Sequence, residues 1–330
     1  MKAKHFLLPL LAGALALASC NQTPKVPEGE FLIEGELKNV PDSVVIMLMK
    51  EEGRLLSTVA MDTVNQGKFA LGGSISSIES QKYDLLCFDD GFPSMQADVW
   101  VRSVSYTKVT GKDKLLPLWK ITSEVPEQQM VNEFMKLCPE ERKESMRLRA
   151  QDADLIRSAE VDRNKLDSLR TLYDSLDSLI YLTELNYMKE IPVTKVWLGK
   201  LELYSSFLQW YTEFGHQKLI RSLYDRMSAT DKATELGKAI TGYMNLPELV
   251  DVGDDMVDGD LYDLEGKVRH LSEFKGKYIL LDFWSQGCGP CFQSLSEMDF
   301  ITQQYAGKME VVSINQDSKE AWKDFVEIKD

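Results

Sequence analysis

The chain has 330 residues with a formal net charge of −14, 44% hydrophobic residues and 27% charged residues. This is the composition of a globular protein, and the length favours two or three domains. The negative charge argues against nucleic acid as a partner, because phosphate binding requires a basic surface. Five cysteines are too few for a disulfide scaffold, and three histidines argue against a His-rich metal site.

The chain begins with the pattern of a signal peptide, in which two lysines precede an apolar stretch over residues 6–16. The Leu-Ala-Ser-Cys sequence at residues 17–20 resembles the bacterial lipobox. This resemblance implies cleavage before Cys20 and lipidation at that residue. We therefore expect residues 1–19 to be a lipoprotein signal peptide and residues 20–29 to be a tether. A plain signal peptide that leaves Cys20 as a free thiol stays the alternative.

Residues 30–118 combine short β-rich runs with turn signals, and this pattern predicts a β-sandwich. The breaks between the runs are Pro-Asp, Asn-Gln-Gly, Gly-Gly and Asp-Asp-Gly sequences, which favour turns. Examples of these runs are residues 31–33, 43–49, 68–71, 83–88 and 99–109.

Residues 119–246 contain little glycine or proline and much leucine and charge, which predicts a helical region. Leucines three or four residues apart indicate one face of an amphipathic helix, and we expect Pro192 to separate two helices. A coiled-coil partner is an alternative, but the leucine run covers only about two heptads, which is shorter than a coiled-coil assignment requires. These leucines are Leu166, Leu169, Leu172, Leu176 and Leu179.

Residues 247–330 have the pattern of an α/β domain. Residues 277–284 form a nearly continuous apolar run, which is typical of a strand buried on both faces of a parallel sheet. A helix is expected over residues 288–305, followed by a strand at residues 310–314 and another helix. This order predicts a βαβ unit with a right-handed crossover.

The sequence Cys288-Gly289-Pro290-Cys291 lies where the first of these strands meets a helix. A CxxC pair in this position is typical of a redox dithiol, because helix N-terminal N–H groups stabilise a thiolate. We expect Cys288 to be the attacking thiol and Cys291, one turn later, to be the resolving thiol. Pro290 is tolerated because a first-turn N–H has no partner within the helix.

Other uses of a cysteine pair fit the sequence less well. Zinc requires four ligands, and no second CxxC or histidine pair follows. Covalent haem attachment requires a histidine after the second cysteine, where this chain has Phe292. A buried structural disulfide stays an alternative. We expect no metal and no cofactor beyond the redox-active disulfide between Cys288 and Cys291.

Residues 280–291 resemble the active-site segment of thioredoxins and are most similar to the membrane-tethered TlpA/ResA-like family. This resemblance implies a thioredoxin-like fold over residues 247–330 and a thiol–disulfide oxidoreductase activity. It also implies that Asp282 is buried beside the cysteines and accepts the proton of the second thiol. Trp284, Gly289 and Pro290 are the expected supporting residues.

Several positions depart from this family. Gly287 stands where the family usually has tryptophan, and Ser294 stands where ResA-like proteins have glutamate. Peroxiredoxins have a proline and a threonine or serine before the reactive cysteine; Ser285 fits the second place, but Leu281 occupies the proline place. A thiol peroxidase-like antioxidant is kept as an alternative. No proline follows Pro290 to form the cis-proline loop of thioredoxins. We therefore expect an incomplete thioredoxin-like fold, in which Cys288 reacts with small reagents but turnover is weak.

Together these patterns predict a multidomain chain with an N-terminal β-sandwich, a helical middle region and a C-terminal thioredoxin-like fold. Its expected function is to exchange or reduce protein disulfides in the cell envelope. The expected partners are protein thiols or disulfides and an upstream electron donor of the envelope. Lipid at Cys20 is expected to anchor the chain to the membrane, and we expect the protein to face the periplasm. A lipid-anchored binding protein with a vestigial redox module is the alternative.

Overall fold

In the computed structural model the chain forms two compact units, which comprise residues 1–245 and 246–330. The signal peptide and lipobox predicted for residues 1–20 lie outside the part of the chain that the structure describes. The described residues are 24–52, 55–87, 92–93, 95–158, 161–210, 215–246, 250–286, 288, 291 and 294–329.

The first unit begins with two four-stranded sheets. Their strands are β1 Glu30–Lys38, β2 Val45–Glu52, β3 Leu55–Thr63, β4 Lys68–Ser74, β5 Gln81–Cys87, β6 Gln96–Val101, β7 Ser105–Lys112 and β8 Lys120–Ser123. One sheet has the order β4-β1-β7-β8, and its β1 and β7 pair in parallel while the other neighbours are antiparallel. The other sheet has the order β3-β2-β5-β6 and is antiparallel throughout.

The two sheets share one hydrophobic core. In β1 every second residue is buried, including Phe31, Ile33 and Leu37, which is the period expected for a strand with one covered face. Ile46 and Leu48 of the second sheet are both 0% exposed in the same core. The predicted β-rich region is therefore present, and its assignment to the β-sandwich fold type stays a prediction.

The run predicted over residues 99–109 is wrong as a single strand, because a turn divides it into β6 and β7. Val104 in this turn has a φ of 65°, a conformation that a β-branched residue rarely adopts. Ser105 holds the turn, since its Oγ accepts from Arg102 N at 3.1 Å and donates to Arg102 O at 2.7 Å. Strand β3, at the end of the second sheet, lies outside the runs given above as examples.

Helices make up the rest of the first unit. They are α1 Pro126–Met135, α2 Pro139–Ile156, α3 Arg163–Glu190, α4 Lys195–Trp210, α5 Gln217–Tyr224, α6 Ala229–Ala233 and α7 Glu235–Met244. Pro192 lies between α3 and α4, as predicted, because proline lacks the N–H that a helix interior needs. Asp162 caps α3, where its side chain accepts from Lys165 N at 3.1 Å. None of the described helices is long and apolar enough to cross a membrane.

The β-rich and helical parts of the first unit pack against each other. Trp100 of β6 belongs to the helical core, together with Trp197 and Tyr204 of α4. The Trp100 backbone N–H donates to Oε1 of Gln128, a residue of α1 that is 0% exposed. This buried hydrogen bond satisfies the amide and fixes α1 against the end of the sheet.

The buried face of α3 differs from the predicted leucine face. Leu166 and Leu169 are buried, as expected. Leu172 and Leu179, however, are 56% and 47% exposed, so the prediction is wrong for these two leucines. The buried residues further along α3 continue at three- and four-residue steps and include two acids: Asp177, Ile180, Glu184, Leu185 and Met188.

Ion pairs with α2 explain why acids lie on the buried face of α3. Glu184 pairs with Arg142, and Asp177 pairs with Arg149. The hydroxyl of Ser145 also donates to Oδ1 of Asp177 at 2.6 Å. A buried carboxylate is tolerated when it is paired and hydrogen-bonded, so these partners set the rotation of α3 about its own axis.

The second unit contains a hairpin and a βαβ arrangement. Its elements are β9 Leu261–Tyr262, β10 Val268–Arg269, β11 Tyr278–Trp284, α8 Leu295–Gln304, β12 Met309–Asn315 and α9 Lys319–Lys329. Strands β9 and β10 are antiparallel, whereas β11 and β12 pair in parallel, with Tyr278 opposite Met309 and Trp284 opposite Asn315. The predicted order of strand, helix, strand and helix is therefore confirmed.

Strand β11 is not buried on both faces, and this prediction is wrong. Tyr278 is 77% exposed and Phe283 is 54% exposed. The reason is that, among the described residues, β11 pairs with β12 and no other strand. None of the seven residues of β11 is fully buried, which is the pattern of a strand with limited cover rather than of a central strand in a large parallel sheet.

Candidate active site

The predicted cysteine pair forms a disulfide just after β11. The Cα atoms of Cys288 and Cys291 are 5.3 Å apart, within the range that a disulfide requires. Both side chains are partly buried. The pair lies at the carboxyl end of a parallel strand, where α/β folds commonly place functional groups. The expected supporting residues Gly289 and Pro290 lie outside the described residues.

Backbone groups distinguish the two sulfur atoms. The N–H of Cys291 donates to Sγ of Cys288 at 3.3 Å, while Sγ of Cys291 lies 3.8 Å from the carbonyl oxygen of Phe283. An N–H donor stabilises a thiolate, whereas a carbonyl oxygen can only accept from a protonated thiol. In the oxidised pair the two sulfur atoms therefore have different surroundings, with an N–H beside Cys288 and a carbonyl oxygen beside Cys291.

Asp282 lies on β11 opposite Ser313 of β12. The hydroxyl of Ser313 donates to Oδ2 of Asp282 at 3.1 Å. Asp282 is partly exposed, so the prediction that it is buried beside the cysteines is wrong. The reason is the same as for the rest of β11: within the described residues only β12 pairs with it, and solvent reaches its side chains. The role of Asp282 as a proton acceptor stays a prediction.

Two side chains support the segment around the cysteines. Trp284, at the end of β11, packs on Phe325 of α9 with ring centroids 5.5 Å apart and an interplanar angle of 57°. Ser294 donates from its hydroxyl to the carbonyl oxygen of Cys291 at 2.9 Å. Trp284 was predicted as a supporting residue, whereas Ser294 was identified only as a departure from the family pattern.

Asp317 is a site residue that the sequence analysis missed. Its Oδ2 accepts from the backbone N–H of Gln286 at 2.8 Å and from Nδ2 of Asn315 at 3.1 Å. Its own N–H donates to Oδ1 of Asn315 at 2.8 Å. Asp317 therefore ties the segment before Cys288 to the end of β12. The Asn-Gln-Asp sequence after a strand is a signal for a side-chain-stabilised turn.

A groove of about 710 Å³ in the second unit includes Asp317 in its lining. Other lining side chains are those of His270, Lys319 and Trp322.

Within the described residues, no group of three His, Cys, Asp or Glu side chains is placed to hold a metal ion. The described contacts around the pair are those of a disulfide and its backbone, and a disulfide in this setting can undergo thiol–disulfide exchange.

Residues 252–330 match the AhpC/TSA family. The thioredoxin-like protein YneN of Bacillus subtilis (strain 168) is 38% identical over 68 residues, which are 21% of this chain and 40% of that protein. The thiol-disulfide oxidoreductase ResA of Bacillus cereus (strain ATCC 10987 / NRS 248) is 33% identical over 87 residues, which are 26% of this chain and 50% of that protein. A crystal structure of a putative thiol-disulfide oxidoreductase from Bacteroides vulgatus is 32% identical, with a TM-score of 0.21, over 22% of this chain and 52% of that chain.

The chain spans about half the length of these relatives or less. The family match falls within the second unit. The chain therefore contains a thioredoxin-like domain near its C-terminus, similar to the AhpC/TSA family and to ResA-like thiol–disulfide oxidoreductases.

Proposed function

We propose that this protein is a thiol–disulfide oxidoreductase that exchanges or reduces disulfides of other proteins through Cys288 and Cys291. The observation that carries the proposal is the disulfide between these two residues at the end of β11. Curated relatives of the C-terminal domain that are named thiol–disulfide oxidoreductases support the reaction class.

In the reducing direction, the Cys288 thiolate attacks one sulfur of a substrate disulfide. A bond forms between Cys288 and that sulfur, and the other substrate sulfur leaves as a thiolate. Cys291 then loses its proton and attacks Sγ of Cys288, which releases the second substrate thiolate and forms the Cys288–Cys291 disulfide. Two electrons pass to the substrate, whose thiolates take up protons. A dithiol protein of the envelope is proposed as the donor that reduces the pair again.

The hydrogen bond from the Cys291 N–H to Cys288 supports this division of roles, because it favours the charged form of the attacking sulfur. Asp282 is proposed as the acceptor of the Cys291 proton. Its partial exposure allows a water molecule to relay that proton. Trp284 and Asp317 are proposed to position the segment rather than to touch the reacting atoms.

Trapping of mixed disulfides tests the two cysteine roles. Cys291→Ser should accumulate partner proteins joined to Cys288, because the attacking thiol is kept and the resolving thiol is removed. Cys288→Ser should accumulate few. Non-reducing gels with and without a dithiol measure both, and Cys138→Ser, which changes a partly buried cysteine outside the disulfide, is the matched control. Equal trapping by the two variants would contradict the assignment of Cys288 as the nucleophile, and no trapping by either would favour a vestigial site.

A second candidate function is that of a thiol peroxidase, which the AhpC/TSA match favours. Leu281 stands where a peroxiredoxin would have proline, and this departure favours the disulfide reaction instead. Two assays on the same preparation separate the functions. A disulfide oxidoreductase should reduce a protein disulfide at the expense of a dithiol, whereas a peroxidase should consume peroxide and leave the protein disulfide intact.

The proposed place of action is the cell envelope, with lipid at Cys20 as the anchor and the chain facing the periplasm. The lipobox-like sequence at residues 17–20 supports this location. Cys20→Ala should release the protein from the membrane fraction. Retention of this variant in membranes washed with high salt would contradict the lipid anchor, and protease treatment of intact cells would report whether the chain is exposed outside.

A further inference from the structure

Strands β5 and β6 carry charged residues on the face that packs against the helices. Residues directly opposite each other in an antiparallel pair point to the same face of the sheet. Lys82 lies opposite Trp100, and Trp100 belongs to the helical core. Asp84 follows Lys82 by two residues and lies opposite Asp98, so both acids point to that same face. The junction between this sheet and the helices is therefore partly ionic.

Asp84 is the most buried acid of this junction. It is 5% exposed, and its Oδ1 accepts no hydrogen bond from the described residues. Nζ of Lys82 lies 3.5 Å from this oxygen and 3.2 Å from Oδ1 of Asp98, so two carboxylates share one cation. A buried carboxylate with incomplete hydrogen bonding is costly in its charged form. A proton on Asp84 removes this cost.

Other elements at the junction contribute further titratable groups. Glu51 of β2 acts electrostatically on Asp84. Glu202 of α4 interacts with Glu51 and Lys82, and the hydroxyl of Tyr243 on α7 hydrogen-bonds to Glu202. The acids at this place therefore outnumber the lysine that pairs with them. We call the following residues the junction cluster: Glu51, Lys82, Asp84, Asp98, Glu202 and Tyr243.

We propose that the junction cluster binds a proton at Asp84 in mild acid and that this proton tightens the packing of the β-rich part on the helices. Two carboxylates that share one site do not both ionise easily. Once protonated, Asp84 carries no buried charge, and its O–H can donate to the Asp98 carboxylate on the neighbouring strand. Lys82 then has one carboxylate to neutralise instead of two.

The directions of the pKa shifts agree with this arrangement. Burial raises the pKa of Asp84, Lys82 lowers it, and Asp98 and Glu51 raise it again, so the net shift is upward. The folded chain therefore binds this proton more tightly than the unfolded chain does. Stability is gained as the pH falls through the folded pKa of Asp84 towards the unfolded value of about 3.9. The pKa of Glu202 is also raised, mainly by burial, so it adds to the same response.

A titration of the natural chain tests the proton site directly. Carbon-13 NMR of the aspartate carboxyl groups, on the full chain in a mild detergent, follows each titration, and Asp84→Asn identifies the signal of Asp84. This carboxyl should titrate above the usual value of about 3.9. Asp98→Asn should lower the pKa of Asp84, because it removes a neighbouring negative charge. An Asp84 that titrates at or below about 3.9, or one that Asp98→Asn leaves unchanged, overturns the proposal.

Urea unfolding of the same chains tests the effect on stability. Asp84→Asn keeps the shape of the side chain but cannot ionise, so at pH 7 it should unfold at a higher urea concentration than the natural chain. The difference should disappear as the pH falls through the titration of Asp84. Glu36→Gln is the matched control, because Glu36 is an exposed strand acid whose carboxylate lies 3.5 Å from Nζ of Lys108. This control should keep the pH dependence of the natural chain. A difference between Asp84→Asn and the natural chain that does not change with pH overturns the proposal.

Hydrogen exchange locates the response in the molecule. In the natural chain, exchange of the α4 amides, corrected for its intrinsic pH dependence, should slow several-fold as Asp84 takes up its proton. In Asp84→Asn the α4 amides should exchange slowly at both pH values. Equal slowing in the two chains, or no slowing in the natural chain, overturns the claim that this proton tightens the junction.

Discussion

Replacement of Glu184 with alanine should destabilise the first unit by about 3–5 kcal/mol. Glu184 is 0% exposed, and Nζ of Lys200 lies 2.9 Å from its Oε2. Arg142 pairs with Oε1, and the hydroxyl of Tyr204 donates to Oε2. Removal of the carboxylate leaves two cations in or near the core without a counter-charge. The predicted loss is mainly the penalty for these unpaired charges rather than the value of one hydrogen bond.

The same site predicts a dependence on pH. Burial raises the pKa of Glu184, but Lys200, Arg142 and the Tyr204 hydroxyl lower it further than burial raises it, so the pKa lies below its usual value. Because the folded pKa is lower than the unfolded value of about 4.3, the carboxylate stabilises the fold fully above that pH. This contribution is lost as the pH falls below about 4.3 and through the folded pKa. The difference between the natural chain and Glu184→Ala should shrink accordingly.

Urea unfolding of the full chain, followed by far-ultraviolet circular dichroism, measures this loss at neutral pH. Glu190→Ala is the matched control, because Glu190 is an exposed acid at the end of the same helix. It should change the free energy of unfolding by less than about 0.5 kcal/mol. A loss below about 1 kcal/mol for Glu184→Ala, or a loss that does not shrink in acid, would refute the reasoning.

Local contacts make three further substitutions informative. Gly237→Ala should lower the free energy of unfolding by more than about 1 kcal/mol, because a Cβ would lie 2.0 Å from the backbone oxygen of Asp231. Burial, and after it the neighbouring Glu34 carboxylate, raise the pKa of Tyr106 to about 12. Glu34→Gln should therefore lower the pKa of Tyr106, which a spectrophotometric titration measures. An unchanged pKa would contradict the role of Glu34. Asp317→Ala should increase amide hydrogen exchange several-fold in the segment before the cysteine pair, and unchanged exchange would show that its hydrogen bond does not hold that segment.

The second unit was the most predictable part of the fold. The apolar runs at residues 277–284 and 310–314 correspond to β11 and β12 to within one residue at each end. Such runs are set by local hydrophobic pattern, which a single sequence displays directly. The degree of burial of β11 was not predictable in the same way, because it depends on how many strands pair with it.

Helix α3 shows where local pattern is insufficient. The leucine spacing predicted a helix correctly but assigned Leu172 and Leu179 to the wrong face. The buried face contains acids because Arg142 and Arg149 of α2 meet them, and those partners are distant in sequence. Hydrophobic periodicity cannot reveal a buried ion pair, because it counts only apolar residues. The sequence therefore could not show that the acids are buried and that these leucines are exposed.

The same distinction between local sequence pattern and contacts distant in sequence applies to the site. The contacts that distinguish the two sulfurs come from the backbone, namely the N–H of Cys291 and the carbonyl group of Phe283. These contacts lie within the strand end and the turn that the CxxC motif occupies, so they depend on local sequence and not on distant side chains. The anchoring of Gln286 by Asp317 depends instead on a loop from the far end of β12. That loop borders both the groove and the segment before the cysteine pair, and its aspartate reaches Gln286 only because β11 and β12 lie side by side, which the local sequence does not display.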